Sequence, residues 1–258
     1  MGGQPGVTSF DARGIVKEVI EAHGGADRWN TLEALDAEIS AWGFLFTAKR
    51  RPVLNHVRVR ASTRLPHLAF MDFPGPGQRS ELIGNEEVRI FGRDGKIVAS
   101  RVNPRSKFRG FRRQFYWDSL DFVYFGGYAT WNYLVTPFLF LRDGFRFEVL
   151  EPMGNANPSW VQLRATFPDD IPTHCKEQTF HFDENRLLRR LDYTADVVGG
   201  WARAAHNCEN YVDFDGIKAP TRRRVRPMPW GSRPLPGPTL VALEIHNIRP
   251  IRASLGES

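Results

Sequence analysis

Two aspartates at the start of the most apolar segment of the chain are the first candidates for acid–base chemistry. Asp118 and Asp121 are three residues apart, so in a helix they share a face with Tyr124 or Phe125. A carboxyl group that is buried beside an apolar cavity can act as a general acid or base. The alternative is structural, because Asp118 suits a helix N-cap and an acid at Asp121 stabilises the helix dipole.

A histidine and a cysteine on a predicted strand form the second candidate. Alternation along Ala205 to Phe214 predicts that His206 and Cys208 share a face with Val212. If Val212 and Phe214 mark the concave side of the sheet, His206 faces a cavity, where it can transfer a proton near neutral pH. The alternative is a hydrogen-bonded core histidine beside an inert buried thiol.

Neither a metal site nor a cofactor is predicted. His174, Cys175 and His181 are zinc-type ligands, but strand alternation points His174 away from the other two. The sequence has no glycine-rich phosphate loop, no HExxH, no GxSxG and no dinucleotide fingerprint. Any chemistry is therefore expected to be independent of the common cofactors.

The chain carries a net positive charge and two clusters of basic residues that are candidates for a binding surface. The formal net charge is +6, yet no nucleic-acid recognition motif accompanies it, so we expect no nucleic-acid partner. Arg222, Arg224 and Arg226 share one face of a predicted strand, and Lys107–Arg113 is a second basic cluster. Such a row is ordinarily solvated; contact with an anionic membrane or an acidic partner is the functional alternative.

The pattern of apolar residues predicts the elements that position these candidates. Ile15, Val16, Val19 and Ile20 indicate a helix that Asp11 caps, and a second helix is predicted from Ala26 to Leu35. From Asp36 the period changes to two, and Ala37–Thr47 is the first of a series of predicted strands. We predict one domain over 1–258, comprising a disordered segment 1–8, helices 9–35, a first β meander 36–116, a helical plug 117–143 and a second β meander 144–250.

The plug contains twenty residues, Phe122 to Leu141, without a charge. That length would allow a membrane span. However, glycines and polar residues lower the hydrophobicity of the segment, and strand-like sequence lies on both sides of it. A helix that is apolar all round then belongs in a core. Its aromatic side chains are predicted to line a cavity.

Short motifs along the chain resemble the lipoprotein-carrier (Lol-type) superfamily. They are His23-Gly24-Gly25 with Arg28-Trp29, the mid-chain plug, and the closing unit Tyr211–Arg222. The resemblance implies a mainly β (α+β) fold in which a curved antiparallel sheet, an incomplete barrel, wraps a central apolar helix. The segments WD..D..YF.GYA.WNY and FPDDIPTH also resemble uncharacterised actinobacterial proteins of that type.

This fold predicts a protein that binds an apolar small molecule, such as a lipid, a polyketide or a terpenoid-like compound, between sheet and helix. The expected ligand-binding residues are Phe122, Tyr124, Phe125, Tyr128, Trp131 and Cys208. The alternative is a cofactor-independent cyclase, isomerase or hydrolase that uses Asp118, Asp121 and His206 in the same cavity. Residues 1–12 show no secretory signal and the two cysteines form no disulfide framework, so we expect a cytoplasmic location rather than lipoprotein transport.

Overall fold

The computed structural model describes residues 11–110, 115–151, 159–229 and 233–253. The prediction of disorder for 1–8, and residues 111–113 of the second basic cluster, lie outside these ranges. The described residues contain four α-helices, which are α1 Ala12–Ala22, α2 Ala26–Asn30, α3 Phe44–Ala48 and α4 Ser119–Val135. The strands are β1 Leu32–Trp42, β2 Leu54–Ser62, β3 His67–Met71, β4 Arg79–Ile83, β5 Glu87–Phe91, β6 Ile97–Val102, β7 Arg146–Leu150, β8 Val161–Thr166, β9 Glu177–Phe182, β10 Leu188–Thr194, β11 Arg203–Phe214, β12 Ile217–Pro227 and β13 Val241–Arg252.

The thirteen strands of the described residues form one antiparallel sheet. Its order is β6-β5-β4-β3-β2-β1-β13-β12-β11-β10-β9-β8-β7, so two meanders meet where the first strand pairs with the last. The segment between the meanders, which includes α4, connects the two open edges of the sheet. The predicted fold class is confirmed: a curved open sheet packs around a central apolar helix.

The helix α4 occupies the concave side of this sheet. Fourteen of its seventeen residues are buried, and it packs mainly against β3, β4 and β5. It ends at Val135 because Pro137 has no N–H with which to continue the hydrogen-bonding pattern. A short 3₁₀ turn, Phe138–Leu141, completes the apolar segment. None of the helices in the described part of the chain is long and apolar enough to cross a membrane.

Two predicted boundaries were wrong. The second helix stops at Asn30, because Leu32 already pairs with Arg252 across β1 and β13. The predicted strand to Thr47 ends at Trp42, because Gly43 adopts φ of +131° and packs so closely on the backbone of residue 240 that a Cβ would lie 2.6 Å from the carbonyl oxygen of Leu240. The chain then turns into α3. Strand β4 was not predicted.

The motifs that suggested the Lol-type resemblance come together from opposite ends of the chain. The His23 ring lies 3.3 Å from the Tyr211 hydroxyl, and Arg28 donates a hydrogen bond of 3.1 Å to the Asp215 carbonyl oxygen. Gly24 approaches the backbone of Gly216 so closely that a Cβ would lie 2.2 Å from its oxygen. These residues therefore dock α1 and α2 onto the β11–β12 turn.

An ion pair fixes the start of α4 to the edge strand β6. The Asp118 carboxylate accepts from the Asp121 N–H, and the Asp121 carboxylate accepts from the Asp118 N–H, which is a capping box. Arg101 from β6 donates to both carboxylates, with 2.7 Å between its Nη2 and Asp118 Oδ2. The side chain of Asp121 is fully buried, and Arg101 is one of the groups that stabilise its charge.

Removing the arginine therefore destabilises the protein. We expect Arg101→Ala to lower the free energy of unfolding by about 1.5–3 kcal/mol in urea titrations, because it removes charged hydrogen bonds to a buried carboxylate. The control is Arg164→Ala on β8, whose pair with Glu148 is solvent-exposed and contributes less than about 1 kcal/mol. Equal losses in the two variants would contradict the role given to Arg101.

Candidate functional site

An apolar slot lies between α4 and the concave face of the sheet. It has a volume of about 50 Å³ and is partly open to solvent. Its walls come from α4, from β1 and β13, and from α3 with the residues that follow it. The lining consists of Ala41, Leu45, Phe46, Lys49, Arg51, Leu54, Trp117, Phe122, Phe125, Gly126, Ala129, Thr130, Tyr133, Tyr193, Val241 and Leu243.

Only two of the predicted ligand-binding residues, Phe122 and Phe125, line this slot. The other four lie elsewhere in the core. The Tyr124 hydroxyl donates to Asn85, 3.1 Å away, and the Trp131 indole donates to the Ser62 carbonyl oxygen at 2.9 Å. Tyr128 and Cys208 take part in buried polar contacts described below. They are on the correct helix and strand but point away from the slot.

Asp118 and Asp121 do not line the slot either. Both carboxylates serve the capping box and the ion pair with Arg101, which is the structural alternative that the sequence offered. Their catalytic role remains a prediction.

His206 is buried as predicted, but the premise about its strand was wrong. Val212, which was expected to mark the concave side, is 44% exposed, and Asn210, two residues before it, adopts φ of +55°. Neither ring nitrogen of His206 has a hydrogen-bond partner among the described residues. Burial, assisted by the positive charge of Arg223 and by His174, holds the pKa of His206 well below its ordinary value. The ring is therefore neutral at pH 7.

A buried arginine next to His206 was missed by the sequence analysis, which treated the whole arginine run as solvated. Arg223 is 1% exposed because strand alternation in β12 turns it inward between Arg222 and Arg224. It donates to the Tyr133 carbonyl oxygen at 2.7 Å and to the Cys208 sulfur at 3.2 Å. No carboxylate pairs with it in the described part of the chain. Burial raises the pKa of the Cys208 thiol, which keeps it protonated.

Three tyrosines and a histidine form a polar network at one end of the slot. The Tyr133 hydroxyl lies 2.9 Å from His174 Nε2, and the Tyr128 hydroxyl lies 3.2 Å from His174 Nδ1. The Tyr193 ring stacks on His174 with 4.0 Å between centroids. Burial lowers the pKa of His174 to about 3 and raises that of Tyr133 to about 12, so both are neutral at pH 7.

His174 does not occupy the strand position from which its direction was predicted. It lies in the loop before β9, which begins at Glu177, and it faces the core. His181 instead pairs with Asp192, at 3.0 Å between Nε2 and Oδ2. No group of three potential metal ligands occurs among the residues that the structure describes.

The predicted arginine row does lie on the outer face of the sheet, but two of its members have acidic neighbours. Arg224 donates to Glu244 at 2.7 Å and covers the Trp42 ring, and Arg222 lies 3.7 Å from Glu209. Arg226 has a buried Nε without a partner in the described chain. Contact of this row with an anionic membrane or an acidic partner remains a prediction.

Comparison of structures shows the class of fold. The chain superimposes on a LolA superfamily protein from Nitrosomonas europaea with a TM-score of 0.51 and 12% identity, over 96% of this chain and 95% of that chain. A DUF1329 family protein from Desulfovibrio piger gives a TM-score of 0.49 and 12% identity over the same shares. The chain therefore has the LolA-type fold that the motifs implied.

The sequence comparisons add no closer relationship. No protein-family model matches the sequence, and no curated protein matches it. The likeness therefore extends to the fold alone, and the site has to be interpreted from its own residues.

The neutral state of His206 has a consequence for stability at acid pH. In the unfolded chain its pKa returns to about 6.5, so below that pH the unfolded state binds a proton that the folded state does not. The stability that a neutral His206 contributes is present above pH 6.5 and is lost as the pH falls. We expect His206→Leu, measured by urea titration between about pH 4.5 and 5.5, to reduce the slope of unfolding free energy against pH by about 1.4 kcal/mol per unit. An unchanged slope would show that His206 is protonated in the folded protein.

Proposed function

We propose that the protein binds an apolar small molecule in the slot between α4 and the sheet. The observation that carries this proposal is the composition of the slot: fourteen of its sixteen lining residues are uncharged, and most are aliphatic or aromatic. Apolar walls with a few polar groups are typical of small-molecule sites. The LolA-type fold supports the proposal, because its curved sheet and its central helix together form the walls of the slot.

The larger grooves of the molecule suit such a ligand less well. A groove of about 740 Å³ on the outer face is lined by Asp36, Arg60 and Arg249 among others. There the Asp36 carboxylate is bound by both arginines, at 2.6 Å and 2.8 Å. Charged side chains that already neutralise each other are a solvated surface rather than a site for an apolar molecule.

The ligand must enlarge the slot when it enters. A dry apolar cavity that holds one benzene measures about 150 Å³, whereas the slot measures about 50 Å³. The wall best able to move is α3, which belongs neither to the sheet nor to α4. Its first residues are held by backbone hydrogen bonds of 3.0 Å from Phe44 and Leu45 to Thr239 and Leu240. In this proposal α3 shifts outward and the ligand takes its place against Phe122 and Phe125.

If the slot is the binding site, a side chain that fills it should weaken the binding of an apolar molecule. Ala129 lies on α4 and lines the slot, so Ala129→Phe places a ring in the space that the ligand would use. We expect this variant to bind the neutral fluorescent probe N-phenyl-1-naphthylamine at least about tenfold more weakly than the parent, as measured by fluorescence titration.

The control is Thr130→Val at the neighbouring position, which changes the lining without filling the slot. It should bind the probe as the parent does. Circular dichroism shows whether both variants are folded, since overpacking a core has its own cost. Unchanged probe binding by folded Ala129→Phe would reject the slot as the site.

A second candidate is a cofactor-independent cyclase, isomerase or hydrolase that acts on a similar molecule. It is favoured by Tyr133, which lines the slot and whose hydroxyl contacts His174. A phenol that donates its proton to a bound molecule becomes a phenolate, and in an isomerisation it takes a proton back from another position of the same molecule; the contact with His174 orients the hydroxyl. Tyr133 lines the slot, whereas His174, Asp118, Asp121 and His206 do not.

Tyr133→Phe separates the two candidates, because it removes the hydroxyl and keeps the ring. We expect an enzyme to reveal itself when the parent and the variant are purified from the same cells and extracted with organic solvent. Mass spectrometry would then find the product in the parent extract and the unreacted substrate in the variant extract. Identical extracts would favour the binding protein.

A further inference from the structure

The two charged residues of the slot are both basic. Lys49 and Arg51 follow α3 in the chain, and among the residues that the structure describes no acidic side chain lines the slot with them. Both lie at the end of the slot nearest the start of α4: Lys49 Nζ is 5.1 Å from the centre of the Trp117 ring, and the Arg51 guanidinium carbon is 5.9 Å from that of Phe122. The opposite end is formed by Tyr133 and Tyr193.

Arg51 is incompletely paired. Its Nη2 donates to the Ser119 hydroxyl at 3.2 Å, and its Nε is buried without an acceptor among the described residues. No carboxylate forms an ion pair with it in the described part of the chain. A buried guanidinium donor without an acceptor is unfavourable, and an anionic oxygen is the acceptor that matches it best.

Lys49 adds a second positive charge at the same end. It is only 2% exposed, and this burial lowers the pKa of its ammonium group to about 8. A negative charge in the slot would stabilise the protonated form. The two carboxylates of the capping box, Asp118 and Asp121, bind Arg101 and each other's N–H groups. Neither of them lines the slot.

The slot is therefore polarised along α4. From Phe122 to Tyr133 the helix rises by roughly 16 Å, at about 1.5 Å per residue. The basic residues occupy one end of this length, and aromatic and aliphatic side chains line the remainder.

We propose that the ligand is an amphiphile with an anionic head group, a carboxylate or a phosphate, that binds Arg51 and Lys49 while its apolar chain lies along α4. This inference rests on the proposed function, since it names the class of molecule that the slot accepts. Arg51 supplies directed hydrogen bonds to the head group, and Lys49 supplies charge.

The test compares ligands that share a chain and differ in the head group. Dodecanoate, dodecyl phosphate and dodecanol are titrated against the complex of the protein with N-phenyl-1-naphthylamine, and displacement of the neutral probe is measured. We expect both anions to displace it at concentrations at least about tenfold lower than dodecanol does. Inorganic phosphate alone should not displace it, because it lacks the chain.

Variants of Lys49 and Arg51 test whether these two residues cause the preference for an anionic head group. We expect Arg51→Gln and Lys49→Met each to reduce the advantage of dodecanoate over dodecanol, taken as a ratio within the same variant, to about threefold or less. The ratio cancels any change in the affinity of the variant for the neutral probe, and circular dichroism shows whether each variant is folded. Arg164→Gln, at an exposed arginine on β8, is the matched control and should leave the advantage unchanged.

The outcomes separate the two proposals. If the neutral probe and dodecanol bind but the anions have no advantage, or if the advantage survives both substitutions, the anionic head group is rejected and the apolar site stands. If inorganic phosphate competes as well as dodecyl phosphate, the site recognises an anion without a chain, and the amphiphile is rejected. If neither the neutral probe nor any of the twelve-carbon compounds binds, the proposed function itself fails.

Discussion

A helix that is apolar on every side must be covered on every side, and α4 is such a helix. Its buried aromatic and aliphatic side chains belong to one hydrophobic cluster with residues of both meanders, so their burial helps to hold the meanders together. A flat sheet would cover one face only. The long antiparallel sheet therefore curves around α4, and α1, α2 and α3 pack against the parts of the core that the sheet leaves open.

Covering a helix in this way forces polar groups into the interior, and the structure handles them by two routes. At the start of α4, the buried carboxylate of Asp121 keeps its charge and is matched by Arg101. Further along, His174 and His206 give up their charge, and the neighbouring tyrosines stay protonated. Neutral groups are less costly than charges in a dry core. The slot has the neutral side chains of Tyr133 and Tyr193 at one end and the basic side chains of Lys49 and Arg51 at the other.

The first strand, β1, pairs with the last strand, β13, in the middle of the sheet. This pairing brings the α1–α2 region to the β11–β12 turn, where His23, Gly24 and Arg28 meet Tyr211, Asp215 and Gly216. These contacts have steric and hydrogen-bonding requirements that few residue types satisfy, the glycine contact most strictly. The motifs of the α1–α2 region and of the β11–β12 turn therefore report the fold, and neither contributes a residue to the slot.

From the sequence alone it was possible to determine the buried helix and most of the strands, because apolar periodicity is a local property of the chain. The class of fold followed from the resemblance of its motifs to the Lol-type superfamily. Phe122 and Phe125, two of the expected ligand-binding residues, line the slot. Only the tertiary structure decided the direction in which these side chains point and which distant residues they contact. The contacts of Arg223 with Tyr133 and Cys208, and the approach of Lys49 and Arg51 to α4, depend on residues distant in sequence. A side chain on a helix that is buried all round can face any of several neighbours, so the hydrophobic pattern cannot select the residues that line the slot.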